Sequence, residues 1–154
     1  RMEIKIMSQQ EAQNWSYDQW MGVALLISIL GTHSKIPTFY KNPRIIEKIS
    51  LTFDDIQTVQ ENHTLLSEEH CLQIRDFVLE HAEEVECTGV SRAAAIAFAI
   101  CHLLNLDDTW IWVSERYYPN KYCVHKLNRV LNLGLTEQDI QSRYQYKEKK
   151  HQLS

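Results

Sequence analysis

Glycine and proline are scarce in this chain of 154 residues, at four and three respectively. Collagen-like and low-complexity architectures, which need one or both in quantity, are excluded. Cysteine is equally sparse. Four cysteines in 18.2 kDa are too few for a disulfide-stapled scaffold, so reduced thiols and a cytoplasmic location are expected. An excess of positive charge is missing too. Sixteen Lys and Arg against twenty Asp and Glu leave a net charge of −4, which argues against a nucleic-acid partner. The longest apolar run, Met21 to Leu30, falls short of the roughly 18–20 residues of a membrane span. It also follows Asp18 with no basic segment ahead of it, unlike a secretory signal. None of the seven histidines forms a close pair of the His-x-x-x-His kind, so no metal site is expected.

What is present is ordinary for a globular domain: 44% hydrophobic and 23% charged residues. At this length roughly 68–70% of the unfolded surface can be buried, so a core needs no staples. One domain over residues 1–144 is expected, followed by a charged tail over 145–154. Glu3–Met7 alternates and predicts a strand, and Ser8 with Glu11 has the spacing of a capping box before a short helix. Val23–Leu30 is near-continuously apolar between Gly22 and Gly31, the pattern of a strand covered on both faces. His33–Arg44 holds Pro37, Asn42 and Pro43 and predicts a loop. Ile49, Leu51 and Phe53 alternate with polar residues in a further strand that ends at Asp54-Asp55. A polar connection, Ile56–Leu66, follows.

Ser67 predicts a helix cap, with Glu68 and Glu69 in the first turn and Cys71, Ile74, Phe77 and Val78 on the apolar face. The pattern stops near His81. Ala93–Leu106 is apolar almost all round and predicts a buried helix. Asp107-Asp108 reads as the start of another helix through Trp110 and Trp112, broken at Tyr118-Pro119-Asn120. Lys121–Leu133 predicts a last long helix with Gly134 as its C-cap. Strands that alternate with helices predict an α/β fold with a mostly parallel central sheet flanked by helices.

The chemistry concentrates in Cys87-Thr88-Gly89-Val90-Ser91-Arg92, between an expected strand end and the buried helix. The N-terminus of a helix offers unpaired N–H groups and a positive dipole end, which attract an anion. A thiol placed there favours the thiolate, the nucleophilic form. Gly89 permits close backbone approach. Ser91 can hydrogen-bond the sulfur, and the planar fork of Arg92 matches two phosphate oxygens. These residue types suit attack on a phosphate ester through a phosphocysteine. Cys71, Cys101 and Cys123 fall on helix faces and read as small core residues.

Cys87-Thr-Gly-Val-Ser-Arg92-Ala-Ala-Ala resembles the phosphate loop of cysteine-dependent protein tyrosine phosphatases, and most of all that of compact bacterial dual-specificity-like enzymes. VALLISIL resembles their early core strand, Leu51-Thr-Phe-Asp-Asp-Ile56 their acidic strand end, and Tyr118-Pro119-Asn120 their Pro-Asn turn. The resemblance covers the chain from about Val23 to Gly134. It implies a dual-specificity-phosphatase-like fold and a two-step hydrolysis without metal or cofactor. In that scheme Cys87 attacks phosphorus. Thr88, Gly89, Val90 and Ser91 donate N–H groups and Arg92 clamps the phosphoryl group. Asp55, or else Asp54, protonates the leaving oxygen and then activates water. The implied substrate is a phosphorylated protein or a small phosphomonoester, with no nucleic acid and no membrane as partner; oligomeric state stays open.

The chain departs from that pattern at definite positions. Four residues separate Cys87 from Arg92 where the family has five, Glu86 stands in place of the usual His, and Ala93 in place of Ser. One residue moves a chain end by up to about 3.3–3.6 Å, and in-line attack needs atoms about 3–3.5 Å apart. Glu83-Glu84-Val85-Glu86 is also acidic for a central strand. Either the catalytic strand has been lost, or residues are missing near Glu86–Gly89; the well-kept flanks favour the second. The alternative function is a catalytically inactive, phosphate-binding pseudophosphatase. A rhodanese-like or arsenate-reductase-like thiol enzyme and a plain interaction module with a Trp110/Trp112 surface rank lower.

Overall fold

Five short segments form one sheet, and the helices between them cover it. The computed structural model describes residues 4–15, 25–43, 45, 47–80, 85–88, 91–105, 111–113 and 119–141. The strands are β1 (Ile4–Met7), β2 (Leu25–Leu30), β3 (Glu47–Thr52), β4 (Val85–Thr88) and β5 (Ile111–Val113). The helices are α1 (Gln9–Gln13), α2 (Glu68–Glu80), α3 (Ser91–Leu103) and α4 (Lys121–Leu131). The sheet order is β3-β2-β4-β1-β5, and all four described pairings are parallel. This is an α/β fold.

The helix boundaries have local causes. The Ser8 hydroxyl accepts from the Glu11 N–H at 3.1 Å and starts α1. Within α3, nine consecutive residues from Ala93 to Cys101 are buried, which is why its apolar pattern runs all round. Five of the nine are alanines, so α3 can lie close to β1 and β4 on one side and to α4 on the other. Cys71, Ile74, Phe77 and Val78 of α2, Val124 and Leu127 of α4, and Ile27, Ile29, Leu51 and Phe53 from the β2 and β3 segments complete this main core. A smaller cluster of Ala12, Phe39 and Ile45 sits apart from it, with Trp15 and Tyr40 half-buried against it.

Several sequence expectations change. The loop over His33–Arg44 contains a turn of 3-10 helix, Thr38–Lys41. The acidic segment before Cys87 is not lost from the sheet: Val85–Thr88 forms β4, the middle strand, paired with both β1 and β2. Helix α3 starts at Ser91 rather than Ala93. The helix expected through Trp112 is instead strand β5, at the edge beside β1. Ile-Trp-Val is β-branched and aromatic, and an open edge of β1 rewards pairing more than the Asp-rich start rewards a helix. The C-cap of α4 is Asn132, at φ 53°, not Gly134. Asn tolerates the left-handed conformation, and the Asn132 N–H reaches the carbonyls of Asn128 and Arg129. Residues 81–84, 107–110 and the tail 145–154 lie outside the described residues.

Candidate active site

In an all-parallel sheet the C-terminal ends of the strands share one edge. Ligands gather there, where neighbouring strands send their connections in opposite directions. The connection after β2 leads to β3 on one side, whereas that after β4 leads to β5 on the other. The crevice therefore lies beyond the ends of β2 and β4. Three segments meet at this edge: Gly31-Thr32 after β2, Asp54-Asp55 after β3, and the approach to Ser91 after β4.

The two adjacent aspartates have separate environments. Asp54 accepts from the Thr32 N–H at 2.8 Å, from the Thr32 hydroxyl, and from the Thr64 N–H at 2.8 Å. Its own N–H donates to the Thr64 carbonyl at 2.7 Å. A Cβ added at Gly31 would stand 3.2 Å from an Asp54 carboxylate oxygen and from the Ser34 hydroxyl, so the chain passes Asp54 at glycine distance. Burial pushes the Asp54 carboxyl up, but the Thr32 hydroxyl and N–H, the Thr64 N–H and the charge of His63 together hold it down at about 2. Asp54 is thus a permanent carboxylate that ties the loop after β2 to the loop after β3.

Asp55 faces the start of α3. The Ser91 hydroxyl lies 2.8 Å from each of its carboxylate oxygens. The Asn120 side-chain amide donates to Oδ1 at 2.7 Å and to the Ile56 carbonyl at 3.2 Å. Asn120 is buried, at 4% exposure, and links three segments: the loop after β3, the start of α3 and the first turn of α4. Its N–H donates to the Ser91 carbonyl at 2.9 Å, and its Oδ1 accepts from the Cys123 N–H at 3.1 Å, capping α4. Sequence reading took Pro119-Asn120 for a turn and did not count Asn120 among the site residues. The available signal was an N-cap residue directly before a helix.

Arg92 lies in the first turn of α3. Its Nη1 donates to the Phe53 carbonyl at 2.5 Å, and its guanidinium carbon is 5.8 Å from the centre of the Phe53 ring. Its Nε is buried and has no hydrogen-bond partner among the described residues. Burial pushes the Arg92 pKa down, opposed by Asp55 foremost and then by Cys123 and Asp54. Two other thiols are poor nucleophiles. Burial pushes Cys123 up to about 12, with Asp55 adding to it and Arg92 opposing, and pushes Cys71 up to about 11. Together with buried Cys101 they are core residues, as expected.

Asp55, Ser91 and Arg92 are therefore brought together. Cys87 is the third residue of β4, in register with Ile6 and Ile27; Thr88 is the last, in register with Met7 and Ser28. Gly89 and Val90 lie outside the described residues. Two cavities of about 390 and 420 Å³ share Gln13, Thr38 and Phe39, beside α1 and the 3-10 turn. Neither of these two cavities is lined by Asp55, Ser91 or Arg92. Among the described residues no group of three or more His, Cys, Asp and Glu gathers in metal-binding range, and no helix is long and apolar enough to cross a membrane.

No family model matches the chain, and no curated protein matches it. Among solved structures the chain is similar to Tk-PTP, crystallised in its active form. The likeness covers 97% of this chain and 92% of that one at 11% identity, with a TM-score of 0.45.

Proposed function

We propose that this protein hydrolyses phosphate monoesters, phosphotyrosine first and phosphoserine or phosphothreonine with it, on a dual-specificity-phosphatase-like fold. The observation that carries the reading is the meeting of Asp55 with the Ser91 hydroxyl at the first residue of α3, beside Arg92. An acid, a helix N-terminus and a guanidinium at the C-terminal edge of a parallel sheet are the parts that phosphoryl transfer needs.

In this reading the Cys87 thiolate attacks phosphorus. An S–P bond forms as the P–O bond to the leaving group breaks. Asp55 gives its proton to the departing oxygen. Water then attacks phosphorus and loses a proton to Asp55, and the S–P bond breaks to release inorganic phosphate. Backbone N–H groups of Thr88, Gly89, Val90 and Ser91 hold the phosphoryl oxygens and Arg92 clamps them. The substrate is a phosphorylated protein or a small phosphomonoester. Asp54 is the poorer acid, because the Thr32 and Thr64 donors occupy its carboxylate and hold it down at about 2.

The test is hydrolysis of para-nitrophenyl phosphate with and without vanadate, beside Cys87→Ser. Vanadate-sensitive turnover that Cys87→Ser abolishes is the expected result. One observation favours a second reading, phosphate binding without turnover: the Arg92 Nη1 is engaged by the Phe53 carbonyl at 2.5 Å. A guanidinium committed to the protein has fewer donors left for a transferring group. A folded protein that binds vanadate yet turns over nothing supports that reading.

A further inference from the structure

We infer that Asn120 is a positioning residue for acid catalysis, fixing which oxygen of Asp55 carries the proton. The inference rests on the phosphatase reading above. The orientation of the Asn120 amide follows from chemistry. The Cys123 N–H is solely a donor, so the group 3.1 Å from it is the amide oxygen. The amide nitrogen then faces Asp55 Oδ1 at 2.7 Å and the Ile56 carbonyl at 3.2 Å, two acceptors. An N–H donor takes a lone pair of Oδ1 that a protonated oxygen offers only weakly, so it favours the proton on Oδ2. When Asp55 is protonated, the hydrogen sits on Oδ2, and the Ser91 hydroxyl, 2.8 Å away, can accept from it until a leaving oxygen takes its place.

The arrangement is anchored on every side. Asn120 is buried, its backbone N–H is held by the Ser91 carbonyl, and its side chain closes the first turn of α4. Asp55, by contrast, is exposed and extends from a loop. Without the amide its carboxyl can rotate and present either oxygen. A correctly aimed proton matters only when the leaving group needs one.

Asn120→Ser separates this role from capping. Serine is as good an N-cap but too short to reach Asp55. Activity is compared on phenyl phosphate, a poor leaving group, and dinitrophenyl phosphate, which leaves unaided. The Ser variant is expected to stay folded with a lower melting temperature and an unchanged KM, and to lose about tenfold in kcat on phenyl phosphate, the scale of one hydrogen bond. On dinitrophenyl phosphate kcat stays within about twofold, and in an Asp55→Asn background the Ser change adds nothing. Asn120→Thr, also an N-cap former and also too short to donate to Asp55, is expected to show the same selective loss and secures the test if the Ser variant folds poorly. Equal losses on both esters, or none, overturn the positioning role while leaving the phosphatase reading intact. A wild-type protein that turns over neither ester overturns the phosphatase reading, and this inference with it.

Discussion

At the scale of single residues, Asp54 and Asp55 are chemically identical neighbours with different surroundings. Asp54 is held at about 2 by Thr32, Thr64 and His63 against its own burial, whereas an unfolded aspartate titrates at about 3.9. The sign follows. A depressed folded-state pKa contributes stability that is fully present above the unfolded value and is lost as pH falls through the folded one. The part of the urea midpoint that Asp54 contributes, the difference between wild type and Asp54→Asn, is expected to stay level from neutrality to about pH 5 and to fall between about pH 4 and 2. Asn at position 54 is expected to lower neutral-pH stability by about 1–2 kcal/mol, the loss of charge-assisted hydrogen bonds, and to flatten the acid decline. A decline as steep in Asp54→Asn as in the wild type would show that the latch contributes nothing. Asp55→Asn, by comparison, is expected to cost roughly 10²–10⁴ in kcat on phenyl phosphate with little change in stability, checked by kinetics and thermal melting side by side. The sequence marked the pair as acidic candidates but left them unresolved. What separates them is Thr32, Thr64, Ser91 and Asn120, and only the fold brings those residues to the same edge. Arg92 stood out in the sequence as a candidate, yet its bond to the Phe53 carbonyl depends on where β3 ends.

At the scale of elements, caps were more legible than strands. Ser67 was readable as the cap of α2, but its partner was not. The Ser67 hydroxyl accepts from the His70 N–H at 3.1 Å, and His70 Nδ1 accepts from the Ser67 N–H at 3.1 Å. This is a capping box with an imidazole where Glu or Gln usually stands. Accepting at Nδ1 requires a neutral ring with its hydrogen on Nε2. Burial pushes the His70 pKa down, opposed by Glu69. A histidine with a depressed folded-state pKa stabilises the fold above its unfolded value, about 6.5, and that stability is lost as pH falls below it. The melting temperature is expected to drop as pH falls below about 6.5, and His70→Gln, which keeps the reciprocal bond without a titrating ring, is expected to shrink the drop. An identical drop in the Gln variant would assign the effect to other groups. At the far end of α4, Asn132 occupies φ 53°. Asn132→Ala is expected to cost about 1 kcal/mol in thermal denaturation and Asn132→Gly to cost none or to stabilise, since only glycine is free of the left-handed penalty. The cap was assigned to Gly134 because glycine is the stronger signal, yet the chain takes a positive φ at both positions. Trp112 was misread for a related reason. Three residues are too few to show a period, and the strand exists because β1 offers an edge to it.

At the scale of the whole molecule, alternation of strands and helices was enough to read an α/β fold with a parallel sheet, but strand order was not legible. Order depends on which distant segments pair, and β1 pairs with β4 and β5 across most of the chain. The central place of β4 shows the consequence. Its acidic approach argued against a middle strand, but two parallel neighbours and α3 packed across it hold four residues there. Burial is divided unevenly around this sheet. The main core joins α2, α3 and α4 to β2 and β3, and α3 alone contributes nine buried residues. The second cluster holds Ala12, Phe39 and Ile45, and α1 buries a single residue. Hydrophobic stabilisation scales with apolar area removed from water, so opening α1 and the 3-10 turn exposes far less than opening α3. Native-state hydrogen exchange is expected to divide accordingly. Amides of α3 exchange only through global unfolding and follow the urea dependence of the whole domain, whereas those of α1 exchange through local opening with little urea dependence. Phe98→Ala is expected to lower global stability by about 3–5 kcal/mol, as a large core side chain does when truncated. Phe39→Ala is expected to act chiefly on local exchange at α1. If α1 is as protected as α3, the smaller cluster is part of one cooperative unit and the uneven division of burial has no energetic counterpart.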